Sequence, residues 1–89
     1  MKCLKITISG IVQGVGYRYF CYKKAMEYGI KGYVRNLHNG NVEVVASGED
    51  NLVGDFVKEL NTGPRFSSVK AIKIEESEPK KEYSGFTIY

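Results

Sequence analysis

KCLKITISGIVQGVGYRYFCYKKAMEY, residues 2–28, carries two periodicities joined by glycines. Residues 2–9 alternate apolar and polar side chains, with Leu4, Ile6 and Ile8 on one face, which predicts a strand. Residues 10–16 hold Gly10, Gly14 and Gly16 and read as a loop. Tyr17, Phe20, Cys21, Ala25 and Tyr28 then recur at helical spacing, which predicts a helix over residues 17–28. Gly29 stops it, because glycine takes the left-handed C-cap conformation without a Cβ clash.

Working outward, residues 31–37 form a second predicted strand. Asn39-Gly40 signals a two-residue hairpin, since both positions tolerate positive φ. A third strand follows with Val42, Val44 and Ala46 on one face. Asp50 is the expected N-cap of a second helix carrying Leu52, Val53, Phe56, Val57 and Leu60, which Asn61 to Pro64 end. Residues 68–75 alternate imperfectly and predict a fourth strand with room for a bulge. Ser84 to Tyr89 is a short closing strand with Phe86 and Ile88. The order is βαββαβ plus a tail strand. Two split βαβ units of this kind give the α+β, ferredoxin-like fold: a four-stranded antiparallel sheet of order 4-1-3-2 with both helices on one face. The open face would carry Lys5, Thr7, Tyr33 and Arg35. Strands one and two run parallel on either side of strand three, so their C-terminal ends share one edge of the sheet. The start of the first helix lies at that edge too, which makes Gln13 to Arg18 neighbours of Asn36.

The 89 residues fit a single domain, 1–89. Apolar content of 43% and charged content of 26% are those of an ordinary globular chain. No apolar run approaches the ~20 residues of a membrane span, and Met1-Lys2-Cys3-Leu4-Lys5 enters a strand directly and is not a signal peptide. A cytoplasmic monomer is expected. Cys3 lies on the strand face opposite Leu4, whereas Cys21 lies on the helix stripe that covers Leu4, so both are read as free thiols. Two cysteines and one histidine are too few for a zinc site. No metal or cofactor is expected. The net charge of +3 favours anionic ligands weakly, and its spread along the chain gives no nucleic-acid tail.

The loop is the feature that carries chemistry. Gly14 and Gly16 let consecutive N–H groups turn inward, and the helix start adds unpaired donors and positive dipole. Arg18 in the first helical turn is unfavourable for the helix itself, but sensible if it pairs with an anion in the loop. The alternative is a glycine-rich turn beside a surface arginine. No Gly-Lys-Ser/Thr follows, and Tyr19 stands where a dinucleotide loop has its third glycine, so neither common nucleotide loop fits. Asn36 can donate to a phosphate oxygen and accept from a water, or serve only as a turn residue before the hairpin. His38, in that turn, faces solvent. No acidic pair or triad is positioned for acid–base work.

Gly10-Ile11-Val12-Gln13-Gly14-Val15-Gly16-Tyr17-Arg18 resembles the first signature of the acylphosphatase family. Gly32-Tyr33-Val34-Arg35-Asn36 with Gly40, Val42 and Gly48 resembles the second, and the likeness extends over the whole chain. It implies hydrolysis of the carboxyl–phosphate bond of a small acyl phosphate without a cofactor. It also implies roles: Arg18 grips the phosphoryl oxygens, Asn36 aims the attacking water, and the backbone N–H groups from Gln13 through Gly14, Val15, Gly16 and Tyr17 to Arg18 bind the substrate. Phosphate or sulfate should occupy the same place. Tyr17 stands where the family has Phe or Met, and its hydroxyl needs a partner if buried.

Two other readings compete. An RNA-recognition module shares the βαββαβ order, and Lys31-Gly32-Tyr33 matches the start of its aromatic motif. Arg35 then replaces the second stacking aromatic, and strand one offers Lys5 and Thr7 instead of a ring. A non-catalytic phosphate-binding accessory domain, of the kind found in larger hydrogenase-maturation proteins, is the third possibility.

Overall fold

A computed structural model describes residues 1–78 and 82–89. Its elements are β1 (Lys2–Ile11), α1 (Tyr17–Tyr28), β2 (Lys31–Asn36), β3 (Val42–Gly48), α2 (Asp50–Thr62), β4 (Ser68–Glu76) and β5 (Phe86–Ile88). The sheet order is β4-β1-β3-β2-β5. The first four strands pair antiparallel in the expected 4-1-3-2 order, and β5 adds in parallel beside β2.

Strand parity builds the core. Leu4, Ile6 and Ile8 of β1, Val34 of β2, and Val42, Val44 and Ala46 of β3 are buried on one face. They meet Tyr17, Cys21 and Ala25 of α1, Val53, Phe56 and Leu60 of α2, and Phe86 of β5. Phe20 and Tyr28, read as part of the α1 stripe, are only half-buried. Both cysteines are buried and free. Tyr28 Oη donates to Glu59 Oε2 at 2.9 Å, and Lys24 Nζ lies 3.5 Å from the same oxygen, so polar contacts join the helices outside the core.

The register sets the functional edge. Ile8 of β1 and Asn36 of β2 both pair with Val42 of β3, one from each side. The ends of the two parallel strands are therefore level. The strand runs two residues further than predicted, through Gly10 and Ile11, because β4 bulges to follow it. Ser9 pairs with Ala71 but Gly10 with Val69, which leaves Lys70 as the extra residue. The bulge brings backbone onto Gly10, where a Cβ would sit 2.1 Å from Ser68 O and φ is +127°. Only glycine fits there.

Two local expectations are corrected. The hairpin is not a two-residue turn on Asn39-Gly40. Leu37 N donates to Asn41 O at 2.8 Å and Gly40 N to Leu37 O at 3.2 Å, enclosing three residues. Gly40 alone takes positive φ, while Asn39 keeps ordinary backbone and accepts from Asn41 N through its side chain. The N-cap of α2 is Glu49, not Asp50. Glu49 is extended and its carboxylate accepts from Asn51 N at 3.2 Å, and Asp50 is the first helical residue.

The face opposite the helices carries an ion cluster that parity did not reveal. Glu43, 4% exposed, accepts from Tyr33 Oη and Arg35 Nε, each at 2.8 Å, and lies 3.7 Å from Lys5 Nζ. Burial alone would raise the Glu43 pKa. The two hydrogen bonds and the two cations outweigh it and hold the carboxyl below its ordinary value.

Candidate active site

The loop from Val12 to Gly16 turns the chain from β1 into α1. Gly16 is the N-cap at φ 79°, ψ 18°, and Gly14 also has positive φ. The cap residue has no side chain, and the first turn contains no acidic residue. Among the described residues, the first N–H groups of α1 have no side-chain partner, at the positive end of the helix dipole.

A cavity of about 240 Å³ opens at this point. Gly14, Gly16, Tyr17 and Arg18 line it from the loop and helix, and Asn36 lines it from β2. The structure thus brings together the two segments that topology placed side by side. Arg18 is half-buried and Asn36 exposed.

Of the residues read as substrate-binding, Gly14, Gly16 and Tyr17 line the cavity, while the side chains of Gln13, Val15 and Tyr17 make contacts elsewhere. Gln13 does not line the cavity with its side chain. Its Nε2 donates to Leu37 O and Asn41 O, each at 2.8 Å, which uses both amide hydrogens. The side chain therefore fastens the loop to the β2–β3 hairpin, directly after Asn36. Val15 packs against the core. Tyr17 is 1% exposed, and its hydroxyl donates to Leu60 O at 2.6 Å. Leu60 lies among the last four residues of α2, whose carbonyls lack helical partners. The hydroxyl that distinguishes Tyr17 from Phe thus closes the end of the other helix. Burial pushes its pKa well above the ordinary tyrosine value, so it stays a neutral donor.

The sequence reading missed Tyr89. Arg18 Nη1 donates to the main-chain oxygen of Tyr89. Tyr89 N in turn donates to Val34 O at 2.9 Å, which continues the β5 pairing beside the end of β2. The short tail strand was visible in the sequence, but its neighbour was not, and so neither was this contact. Arginine has five N–H donors, and this bond commits one of them. The rest stay available to an anion while the guanidinium is held in place.

Among the described residues, no group of three or more His, Cys, Asp or Glu side chains is arranged to hold a metal ion. His38 is exposed in the hairpin, as expected.

An uncapped helix start, a tethered arginine and an amide meet in one cleft, a composition suited to an anion. Comparison with known proteins gives the family. The acylphosphatase family model matches residues 4–88. The acylphosphatase of Thermotoga petrophila is 44% identical over 99% of this chain and 97% of its own length. The crystal structure of acylphosphatase from Bacillus subtilis superposes with a TM-score of 0.96 at 36% identity, covering 100% of this chain and 99% of that one. Full-length HypF, in a phosphate- and nucleotide-bound form, is similar over 99% of this chain but only 12% of its own, with a TM-score of 0.88 and 33% identity. The chain belongs to the acylphosphatase family. It is an enzyme that hydrolyses acyl phosphates.

Proposed function

We propose that Arg18 and the main-chain N–H groups of Gly14 to Arg18 hold the phosphoryl group of the substrate, and that Asn36 orients the water that attacks it. The observation that carries this reading is the shared cavity: Arg18, Gly14, Gly16 and Asn36 line one cleft at an uncapped helix start. Phosphoryl transfer passes through a loose transition state with charge on the equatorial oxygens. Fixed donors aimed at those oxygens lower the barrier more than they stabilise the bound substrate. The planar Arg18 fork matches two oxygens at once, which a lysine point charge cannot do. The departing carboxylate is stable as an anion, so the reaction needs no general acid and runs without a metal. Gln13 acts on this machinery from outside the cavity, by holding the hairpin that follows Asn36 against the loop.

The chain works as a single-domain cytoplasmic monomer on free small molecules. Its substrates are acyl phosphates, not nucleic acid or membrane, and inorganic phosphate or sulfate competes for the same cleft. The Tyr33 ring, which an RNA-binding sheet would leave open for stacking, packs against Tyr83 and Tyr89 with centroids 6.2 and 5.4 Å away. No described helix is long and apolar enough to cross a membrane.

Hydrolysis of benzoyl phosphate tests the assignment. Arg18→Ala should lower kcat by at least about 10³-fold, Asn36→Ala should also abolish measurable turnover, and both proteins should fold. Arg18→Lys should fail as well. Activity should survive excess chelator. Full activity in Arg18→Ala, or loss on chelation, contradicts the reading.

A further inference from the structure

We propose that Tyr19 and Ile88 form the acyl-binding wall of this cavity and select substrates whose acyl group is apolar and aromatic. The inference rests on the assignment of the phosphoryl group to the loop.

The cavity is larger than a phosphoryl group requires. Four oxygens, each taking the ~30 Å³ share of a liquid water, fill on the order of 120 Å³. That is about half of the 240 Å³ present. The groups that line the cavity divide by chemistry. Gly14, Gly16, Arg18 and Asn36 bring N–H donors, whereas Tyr19 and Ile88 bring a ring and an aliphatic side chain. The second pair has no part in holding an anion.

Both side chains are exposed, Tyr19 at 61% and Ile88 at 40%. They come from different elements, α1 and β5, yet face one cleft. The hydrogen bond from Arg18 to the main-chain oxygen of Tyr89 ties their immediate chain neighbours together. The same bond that fixes the arginine therefore fixes the relation between the two halves of the wall. The Tyr19 ring is also braced from its own helix. It stacks on Tyr22 at a centroid distance of 6.4 Å and an interplanar angle of 19°, and Lys23 Nζ lies 5.8 Å from its centre. A ring held in this way loses little rotational freedom when a second ring packs on it. An exposed, supported aromatic beside a cluster of oriented donors is the usual composition of a small-molecule site: apolar walls with a few polar groups that fix direction.

The test compares benzoyl phosphate with acetyl phosphate, which share the reacting group and differ in the acyl part. Wild type should prefer benzoyl phosphate in kcat/KM. Tyr19→Ala should lower the benzoyl-to-acetyl ratio roughly fivefold, the usual scale for losing one aromatic pairing. Ile88→Ala should lower it roughly two- to threefold, and Tyr19→Phe should leave it unchanged. Inhibition by inorganic phosphate should stay at the wild-type level in all three variants, because the phosphoryl site is untouched. An unchanged ratio in Tyr19→Ala, Ile88→Ala and the double variant overturns the proposal. So does a uniform loss on both substrates accompanied by weaker phosphate inhibition, which would make the pair structural. Preference for succinyl phosphate over benzoyl phosphate, removed by Lys23→Ala, would assign the wall to an anionic acyl group and overturn it as well. Full activity in Arg18→Ala counts instead against the phosphoryl assignment on which the wall depends.

Discussion

The two helices of this small protein begin in opposite ways. α2 starts on Glu49, whose carboxylate accepts a main-chain N–H, and continues with Asp50 in the first turn. Its dipole and its orphan donors are answered by its own residues. α1 starts on Gly16, with no cap side chain, no acid in the first turn, and a cation, Arg18, in the second helical position. By the ordinary rules of helix stability α1 is the worse design. The far end of α2 is also closed from outside, by the Tyr17 hydroxyl on Leu60 O. One helix is capped at both ends, and the other starts on a glycine with no side-chain cap. The difference separates stability from function in our proposal: α2 serves the fold, and the unmet need at the start of α1 is where we place the binding site.

Giving α1 the negative cap that α2 has should break the comparison most severely. Gly16 has left-handed backbone that Asp and Asn tolerate better than other residues, and a Cβ there meets nothing within 4 Å. Gly16→Asp should raise the inhibition constant for phosphate by at least about tenfold through like-charge repulsion, with turnover falling in step. Gly16→Asn, similar in shape but uncharged, should stay near wild type. Equal effects from the two would mean that shape, not charge, governs the loop.

Removing the Gln13 amide tests whether the open start must also be aimed. Gln13→Ala breaks both bonds to the hairpin, and a displaced Asn36 should cost roughly tenfold or more in kcat. The inhibition constant for phosphate should change less than kcat, since Arg18 and the loop remain. An equal change in both would place Gln13 in the anion grip itself.

Changes on the α2 side should touch stability and spare turnover. Tyr17→Phe leaves the Leu60 carbonyl without its buried donor, at a cost of about 1–2 kcal/mol in urea unfolding, with kcat unchanged. Glu49→Ala removes the α2 cap at an exposed position and should cost only about 0.5 kcal/mol, again with kcat unchanged. A large loss of activity from Glu49→Ala would erase the distinction between the helices.

Much of this was readable from residue order. Leu4, Ile6 and Ile8 showed which face of β1 is buried, because strand parity needs no tertiary information. Gly29 marked the end of α1 for the same reason: a left-handed cap is a local demand. Those two periods fixed the βαββαβ order, and topology alone brought Arg18 and Asn36 to one edge. The errors lie where local alternatives are nearly equal. Asp50 and Glu49 are adjacent acids, and the end of β3 at Gly48 decides which one is extended. Asn39-Gly40 fits either a two- or a three-residue turn until the strands set the register. What the residue order did not disclose are contacts across long separations. Gln13 to the Leu37 carbonyl, Tyr17 to the Leu60 carbonyl and Arg18 to the Tyr89 oxygen each join a side chain to a main-chain atom. A carbonyl leaves no trace in residue identity, so no motif could have named these partners.

Titration of the ¹⁵N-labelled protein with inorganic phosphate tests the central claim most directly, because it reads both helix starts in one experiment. The amide signals of Gly14 to Arg18 and the side-chain amide of Asn36 should shift along saturable curves with a common Kd, while those of Asn51 to Val53 at the start of α2 stay still. Shifts of equal size at both helix starts, or none at Gly14 to Arg18, would contradict the account.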